Sequence, residues 1–261
     1  MRPQFYAPPE GSLADAVSPT ATCLASDWPF RHIVCYDVFA SPRYEALRQH
    51  FDELLVADKR FRRRNARYSA LSLTAGEIEG PLEGFFAPDW RDFLAKLFDL
   101  DVTPEIEGGL HHHRQKSPPG WPHNDFNPGH FVPGWQSVAD ERRCDYQTGS
   151  GCADPVVRVR RIAMIYFLAN REWTTGDGGE VGLFQSRAQP VTTPSLAYPP
   201  LNNTLVAFEC NPESFHCFLG DNRLARNSLI LWLHADLAEV DRRWGLTHLV
   251  PWRAGYASSA G

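Results

Sequence analysis

The feature that most constrains the fold is the texture of the chain after Pro104. Short runs rich in β-branched and aromatic residues follow one another there, separated by Gly, Pro and Asn. The runs are GGLHHHRQ, HNDF, RIAMIYFLA, EVGLF, TLVAFE, ESFHCFL and RNSLILWLH. Because no helix-length pattern interrupts them, this part of the chain predicts an antiparallel sandwich or barrel, here a jelly roll.

The upstream part of the chain predicts one strand and two helices. Apolar and β-branched residues favour a strand between Phe30 and Phe39. Ser41-Pro42 has the pattern of an N-cap followed by proline at the first helical position, and a second helix is expected to begin near Pro88. Apolar residues recur at helical spacing in both helices: Tyr44, Leu47, Phe51, Leu54 and Leu55, then Trp90, Leu94, Leu97 and Phe98.

We therefore expect a mainly β protein with flanking helices. The predicted fold is a double-stranded β-helix, a cupin-like jelly roll, with the N-terminal helices packed on the outer face of a sheet. Residues 1–28, rich in Pro, Ala and Ser, are expected to form an extended arm. Residues 29–261 are expected to form a single domain with its jelly-roll core at about 104–236, since no repeat or linker divides them.

The last predicted strand indicates how the two faces of its sheet are used. Side chains alternate between the faces of a strand, so Leu229, Leu231 and Leu233 share one face and are expected to pack beneath the helices. Arg226 and Ser228 then point into the barrel, together with Ile230 and Trp232. A buried arginine left unpaired costs several kcal/mol, so Arg226 predicts an anion in the barrel, and a ligand would supply it.

Composition disfavours two classes of partner. The net charge of −5 gives no bulk attraction to nucleic acid or to an anionic membrane. No apolar run approaches the ~20 residues that cross a bilayer. The N-terminal residues lack the pattern of a secretion signal, so we expect a cytoplasmic protein.

The six cysteines are too sparse for a disulfide framework. Cys144 and Cys152 flank a loop that contains Gly and Ser, and they could pair or bind a metal. Two reduced thiols are the favoured interpretation.

Polar residues in a fixed order predict a metal site. In an extended segment His123 and Asp125 project on the same side, so both can reach one ion, and His216 can supply a third ligand. Two neutral imidazoles and a carboxylate can hold ferrous iron on one face and leave the opposite positions open. A Leu-Gly-Asp-Asn turn after His216 predicts a hairpin that brings Arg226 close to it, where Arg226 and Ser228 could grip a carboxylate.

These motifs resemble the iron(II)- and 2-oxoglutarate-dependent dioxygenases, especially the prolyl-4-hydroxylase-like branch. WPHNDF is similar to the His-x-Asp site of that branch, and TLVAFECNPESFHCF to the strand that leads to its distal histidine. IYFLANREWTTGDGGEVGLF is similar to its strand, tryptophan and Gly-Gly-Glu turn. RNSLILWLH is similar to the arginine strand that ends in tryptophan.

The resemblance implies a role for each matching residue. His123, Asp125 and His216 would bind Fe(II), and Arg226 would pair with the C5 carboxylate of 2-oxoglutarate. Ser228 fits an Arg-x-Ser variant, and Tyr166 lies within a residue of a tyrosine that often hydrogen-bonds the co-substrate. These assignments are His123, Asp125 and His216 for catalysis and metal binding, and Arg226, Ser228 and Tyr166 for the co-substrate.

The implied enzyme consumes O₂ and 2-oxoglutarate, releases succinate and CO₂, and hydroxylates an unactivated carbon. A carboxylate at position 125 favours hydroxylation over halogenation, because related halogenases lack this ligand. The absence of an evident peptide-binding module favours a small-molecule substrate, such as an amino acid or a biosynthetic intermediate. The alternatives are a prolyl or other side chain of a protein, desaturation or cyclisation with the same cofactors, a jelly-roll enzyme with another metal, and a non-catalytic binding protein.

Other features receive weaker assignments. Residues 132–159 are polar and suit a lid. His112 or Arg114 is the candidate for substrate contact in the histidine run, and the basic run 59–64 is expected to be a solvated cluster at a helix end. Three aromatic residues are candidates for the cavity wall: Trp121, Phe126 and Trp173.

Overall fold

The computed structural model describes residues 12–57, 61–73, 80–133 and 144–249. Three α-helices occur in these ranges: α1 (Ser41–Ala57), α2 (Pro88–Phe98) and α3 (Leu237–Trp244). The first four strands are β1 (Thr22–Ser26), β2 (His32–Tyr36), β3 (Arg62–Arg63) and β4 (Ser69–Leu73). The next four are β5 (Ile106–His113), β6 (Pro128–Phe131), β7 (Val156–Phe167) and β8 (Val181–Phe184). The last four are β9 (Leu196–Tyr198), β10 (Thr204–Glu209), β11 (Phe215–Phe218) and β12 (Arg226–Asp236).

The strands form two antiparallel sheets. The larger sheet has the order β1-β2-β10-β7-β12-β5-β4-β3, and β6 pairs with the N-terminal part of β7. The smaller sheet has the order β11-β8-β9. This arrangement confirms the predicted mainly β jelly roll.

The N-terminal helices cover the outer face of the larger sheet, as predicted. Leu229, Leu231 and Leu233 of β12 are fully buried in one apolar cluster with residues of both helices. The helix residues of that cluster are Leu47 and Phe51 from α1, and Trp90, Leu94 and Phe98 from α2. Each fully buried side chain of this size contributes about 1.5–3 kcal/mol through removal of its apolar surface from water.

A second apolar cluster fills the space between the two sheets. Val181 and Leu183 of the smaller sheet meet Ile165, Phe167 and other residues of the larger sheet there. β8, β10 and β7 from Val159 onward are continuously buried because both faces of these strands are packed.

The N-terminal segment contains a strand that was not predicted. Part of the expected arm, β1, pairs with β2 and forms the edge of the larger sheet. Cys23 and Cys35 lie opposite each other in this pair and form a disulfide. Cys144 and Cys152 are free thiols, in agreement with the favoured interpretation.

The predicted hairpin between His216 and Arg226 is wrong. Their strands, β11 and β12, belong to different sheets, so the turn between them carries the chain across the sandwich. The segment HNDF also forms no strand; His123 makes only an isolated bridge to His216. The two residues still face one interior, because opposite sheets of a sandwich share their inner side.

No helix in the described part of the chain has the length and apolar character that a bilayer crossing requires.

Removal of the Leu231 side chain tests the packing of the helices on the larger sheet. Leu231→Ala is expected to lower the free energy of unfolding by about 2–5 kcal/mol, because the side chain is fully buried and the cavity collapses only partly. Leu24→Ala is the matched control: Leu24 is 59% exposed, and we expect a loss below about 1 kcal/mol. Urea unfolding measures both, and equal losses would contradict the described packing.

Candidate active site

A cavity of about 490 Å³ lies between the two sheets. Strands β5, β7, β10 and β12 of the larger sheet form one wall, and β8 and β11 of the smaller sheet form the other. The predicted site residues His123, Asp125, His216 and Arg226 all line it. The jelly roll thus brings together side chains that lie about a hundred residues apart in sequence.

His123, Asp125 and His216 form a compact cluster. The two histidines exchange backbone hydrogen bonds, from His123 N to His216 O (3.1 Å) and from His216 N to His123 O (2.8 Å). The Nε2 atoms of His123 and His216 lie 3.7 and 3.5 Å from the Asp125 carboxylate. One potential ligand atom from each residue lies within 4.8 Å of the other two, which is close enough to surround one ion.

Backbone carbonyls orient both imidazoles. His123 donates from Nδ1 to Trp121 O at 2.8 Å, and His216 donates from Nδ1 to Ser214 O at 3.1 Å. When Nδ1 carries the proton, Nε2 keeps its lone pair and can bind a metal. Burial, reinforced by the nearby His216, lowers the pKa of His123 to about 4, so its imidazole is neutral at physiological pH.

Asp125 is held as a carboxylate in a buried position. Burial by itself would raise its pKa, but the His216 and Arg160 side chains outweigh that effect, and the pKa lies well below its usual range. Its Oδ2 accepts a 2.7 Å hydrogen bond from Trp232 Nε1. Its Oδ1 is buried without a hydrogen bond and lies 3.6 Å from Arg160 Nη1. A buried, ionised oxygen of this kind fits a cation beside the two imidazoles.

Arg226 is a buried cation that needs an anion. Its side chain lies beneath the rings of Phe167 and Phe218, with its Cζ atom 4.8 and 5.4 Å from their centroids. Its Nε has no hydrogen-bond partner, and Nη1 makes only a 3.4 Å hydrogen bond to Ser228 Oγ. No carboxylate among the described residues pairs with it, and burial lowers its pKa to about 9. A carboxylate-bearing ligand would satisfy this group.

Tyr166 lies on the opposite face of β7, and this placement corrects its predicted role at the co-substrate. Its ring packs against Phe39 and Phe85 in the cluster beneath the helices, and its hydroxyl donates to Asn203 Oδ1 at 2.9 Å. The next residue, Phe167, faces inward and contacts Arg226. Because successive side chains alternate across a strand, a one-residue difference in register puts the hydroxyl on the wrong side.

In the histidine run of β5, the side chains that face the cavity are not the one that was predicted. His112 turns away from the cavity and hydrogen-bonds to Asn227 Oδ1 at 2.7 Å, whereas His111 and His113 line the cavity. His111 stacks on Tyr68 with ring centroids 4.5 Å apart. Arg114 is not among the lining residues. The structure therefore places His111 and His113 on the cavity wall, in place of the predicted His112 and Arg114.

The cavity wall contains an ion pair that was not predicted from the sequence. Arg160 of β7 forms a bidentate pair with Glu107 of β5, through Nη2 (2.8 Å) and Nε (3.1 Å) to Oε2 and through Nη2 to Oε1 (3.0 Å). Its guanidinium also lies 3.9 Å from the Trp232 ring centroid. The only sequence signal is the alternation of charged and apolar residues in RVRRIA, because the pairing joins strands that flank β12 on opposite sides.

The segment predicted to be a lid contributes to the cavity. Residues 134–143 lie outside the described residues, but Asp145, Tyr146 and Gln147 line the cavity. The buried Tyr146 hydroxyl accepts from Arg160 Nε at 3.2 Å and lies 3.1 Å from His234 Nε2. Gly129 permits this docking, because a Cβ there would overlap the Tyr146 ring.

Only one of the three aromatic candidates lines the cavity, Trp121. Phe126 is fully buried against Trp244 in the inter-sheet core. Trp173 donates from Nε1 to Gly178 O in a turn outside the cavity.

Comparison with known proteins agrees with this geometry. Residues 143–234 match the family model of the 2OG-Fe(II) oxygenase superfamily. The matched segment includes His216 and Arg226, while His123 and Asp125 precede it. The sequence has no significant similarity to any curated protein.

The fold is similar to solved prolyl hydroxylases. A Pseudomonas putida prolyl-4-hydroxylase superposes with a TM-score of 0.53 at 15% identity, covering 85% of this chain and 98% of its own. A Trichoplax adhaerens prolyl hydroxylase, in complex with a hypoxia inducible factor peptide fragment, gives 0.52 at 13% identity, covering 88% and 92%.

The partial match to this family model and the similarity of the fold to prolyl hydroxylases agree with the resemblance to iron(II)- and 2-oxoglutarate-dependent dioxygenases predicted from the sequence. The matched family implies Fe(II), 2-oxoglutarate as co-substrate and O₂, and the His123, Asp125 and His216 side chains that such a metal site requires are present.

Buried neutral histidines predict a loss of stability in acid for the metal-free protein. Burial, aided by nearby cations, lowers the pKa of His111 and His234 to about 3, from 6.5 in the unfolded chain. The unfolded chain therefore binds more protons between these values, so stability is full above pH 6.5 and falls toward pH 3. The slope is at most about 1.4 kcal/mol per pH unit for each histidine.

His234→Gln tests this slope, because it removes a titrating group that lies outside the metal cluster. Urea unfolding between pH 7 and 5 should show a shallower pH dependence for this variant than for the wild type. His248→Asn, at an exposed position, is the control and should leave the slope unchanged. An unchanged slope in His234→Gln would refute the assignment of His234 as a neutral buried group.

Proposed function

We propose that the protein hydroxylates an unactivated carbon of a small molecule, such as an amino acid or a biosynthetic intermediate. The reaction would convert 2-oxoglutarate, O₂ and a C–H bond into succinate, CO₂ and a C–OH group, which balances all atoms. The observation that carries the proposal is the convergence of the three ligand side chains and the unpaired Arg226 in one cavity.

His123, Asp125 and His216 would hold Fe(II), and Arg226 with Ser228 would hold the distal carboxylate of 2-oxoglutarate. The bound iron and co-substrate supply the oxidising equivalent for C–H cleavage. The protein side chains fix geometry: backbone carbonyls orient the imidazoles, and Trp232 holds one carboxylate oxygen of Asp125. Asp125 would supply a carboxylate ligand that related halogenases lack, so hydroxylation is favoured over halogenation.

A protein substrate is the second candidate. The Trichoplax adhaerens prolyl hydroxylase, which has a similar fold, is in complex with a peptide fragment. Product mass separates the chemical alternatives, because hydroxylation adds one oxygen whereas desaturation or cyclisation removes two hydrogens. The cytoplasmic location and the single-domain organisation stay predictions.

Anaerobic titration with Fe(II) and 2-oxoglutarate tests the site before any substrate is known. The wild type should develop the weak visible charge-transfer band of the chelate. His216→Ala should abolish the band, because only two of the three ligands remain. Arg226→Gln should retain iron binding but weaken 2-oxoglutarate binding at least about tenfold, because a buried charge-assisted hydrogen bond to the carboxylate is lost.

Circular dichroism confirms folding of each variant in that titration. A full band in His216→Ala, or unchanged co-substrate affinity in Arg226→Gln, would contradict the proposed roles.

Trp232→Phe tests the support given to Asp125. The variant keeps an aromatic ring but loses the 2.7 Å hydrogen bond to Oδ2, so iron affinity should fall about 10- to 100-fold. Competition with a metal chelator measures it. Trp244→Phe is the matched control, since Trp244 packs against Phe126 and Arg161 and makes no hydrogen bond to Asp125. Equal iron affinity in both variants would show that the indole N–H has no role at the metal.

A further inference from the structure

Two arginines lie on the rim of the cavity. Arg64 and Arg67 belong to the turn between β3 and β4, and both line the cavity that leads to Asp125. The basic run 59–64 was predicted to be a solvated cluster; residues 58–60 lie outside the described part, and Arg64 stands at the cavity mouth. The presence of two arginines at the mouth of the cavity suggests a role in binding as well as in solubility.

Both guanidinium groups are held in place by neutral partners. Arg64 donates from Nη2 to Ser72 Oγ at 2.7 Å. Arg67 donates from Nε to Pro119 O at 2.7 Å and lies 4.5 Å from the Trp121 ring centroid. These contacts fix the side chains without neutralising them, so each retains donors for a further acceptor.

The turn that carries the arginines is itself ordered by side-chain capping. Asn65 Oδ1 accepts hydrogen bonds from the backbone N–H groups of Arg67 (2.7 Å) and Tyr68 (3.3 Å). Such an Asx turn limits the directions that the two arginines can take. Tyr68 in turn stacks on His111 in the cavity wall, which couples the rim to the interior.

The acidic side chains of the described cavity wall have other partners than these two arginines. Glu107 is paired with Arg160, and the Asp145 carboxylate caps its own turn through Gln147 N and Thr148 N. No carboxylate among the described residues forms an ion pair with Arg64 or Arg67. Even when the single negative charge of Asp145 is counted, the two arginines give the rim a net positive charge toward the entrance.

The interior is neutral once its cofactors are bound. Fe(II), with two positive charges, and Arg226, with one, balance Asp125, with one negative charge, and 2-oxoglutarate, with two. His111 adds no charge, because burial, with Arg226 and Arg64 nearby, lowers its pKa to about 3. The excess positive charge of the loaded site thus resides at the rim, where a substrate enters.

We propose that the substrate carries an anionic group, a carboxylate or a phosphate, which Arg64 and Arg67 bind while its reacting carbon extends toward Asp125. This inference rests on the proposed function, since it assigns the substrate class of the same site. The pair would orient the substrate and select it by charge, as guanidinium groups pair well with carboxylate and phosphate oxygens. The anion could belong to a small molecule or to an acidic side chain next to the target residue of a peptide.

Calorimetric titration of the holoenzyme with inorganic phosphate tests the rim site. The protein is loaded anaerobically with Fe(II) and 2-oxoglutarate at low ionic strength, because salt screens exposed charges. We expect Arg64→Gln and Arg67→Gln each to weaken phosphate binding by roughly 3- to 10-fold, and the double variant to abolish it. Arg67→Lys should retain most of the affinity, since it keeps the charge.

Arg63→Gln is the matched control. Arg63 is an exposed arginine at the end of β3, next to the turn; it hydrogen-bonds to Asn65 O and does not line the cavity. It should leave phosphate affinity unchanged. Absence of phosphate binding in the wild type, equal weakening in Arg63→Gln, or full binding in the double variant would each overturn the proposal.

Matched probes distinguish the source of the anion. N-acetyl-L-proline and its amide form the small-molecule pair, and acetyl-Glu-Pro-Glu-amide and acetyl-Gln-Pro-Gln-amide form the peptide pair. Stronger, Arg64-dependent binding of the charged member in one pair supports the proposal and names the source. Equal binding of both members in both pairs would overturn it.

The charge-transfer band of the same samples separates this proposal from the proposed function. A missing band with phosphate binding intact would reject the iron and co-substrate assignment and leave the anion site. A normal band with no charge selection would reject the rim site alone.

Discussion

The structure depends on the buried carboxylate of Asp125. An ionised carboxylate in the interior of a sandwich is unfavourable unless partners compensate for its lost hydration. Here the compensation comes from both sheets: His216 from the smaller sheet, and Trp232 and Arg160 from the larger one. The remaining oxygen, Oδ1, has no hydrogen bond, which makes it the ligand atom best prepared for a cation.

The surroundings of this carboxylate form a connected polar network within an apolar sandwich. Arg160 links Asp125 to Glu107, and Tyr146 links Arg160 to His234. Apart from Oδ1 of Asp125, the side chains of this network have partners within it, so it can be buried without a large cost, and it restrains the segment that carries Tyr146. Arg226 is the exception, since its anion is expected from a ligand and not from the protein.

Local patterns in the sequence were sufficient for the features that depend on periodicity. The helical spacing of Leu47 and Phe51 correctly predicted the face of α1 that packs on the larger sheet. The alternation along β12 correctly predicted that its leucines pack beneath the helices and that Arg226 points into the cavity. The His-x-Asp spacing likewise placed His123 and Asp125 side by side. These inferences hold because neighbours in the chain determine them.

The failures share a different cause, which is pairing between distant segments. Nothing near the turn after β11 reveals that β12 joins the other sheet, so a hairpin was the simplest expectation. Tyr166 and His112 are excluded from the cavity by the register of β7 and β5 against their neighbours. A change of one residue in this register would move every side chain of the strand to the opposite face. The Glu107–Arg160 pair requires two strands that are separated by a third.

The division of the site between two sheets has a further consequence. The distal histidine belongs to the smaller sheet and the arginine to the larger one, so a diacid that spans metal and guanidinium would act as a cross-brace through the sandwich. A ligand that binds the native state and not the unfolded chain adds to the stability of the native state. Here the ligand would restrain the distance between the two sheets, and not the structure of either sheet. Binding of the metal and the diacid would therefore be thermodynamically linked to the rigidity of the barrel, and each would favour the other.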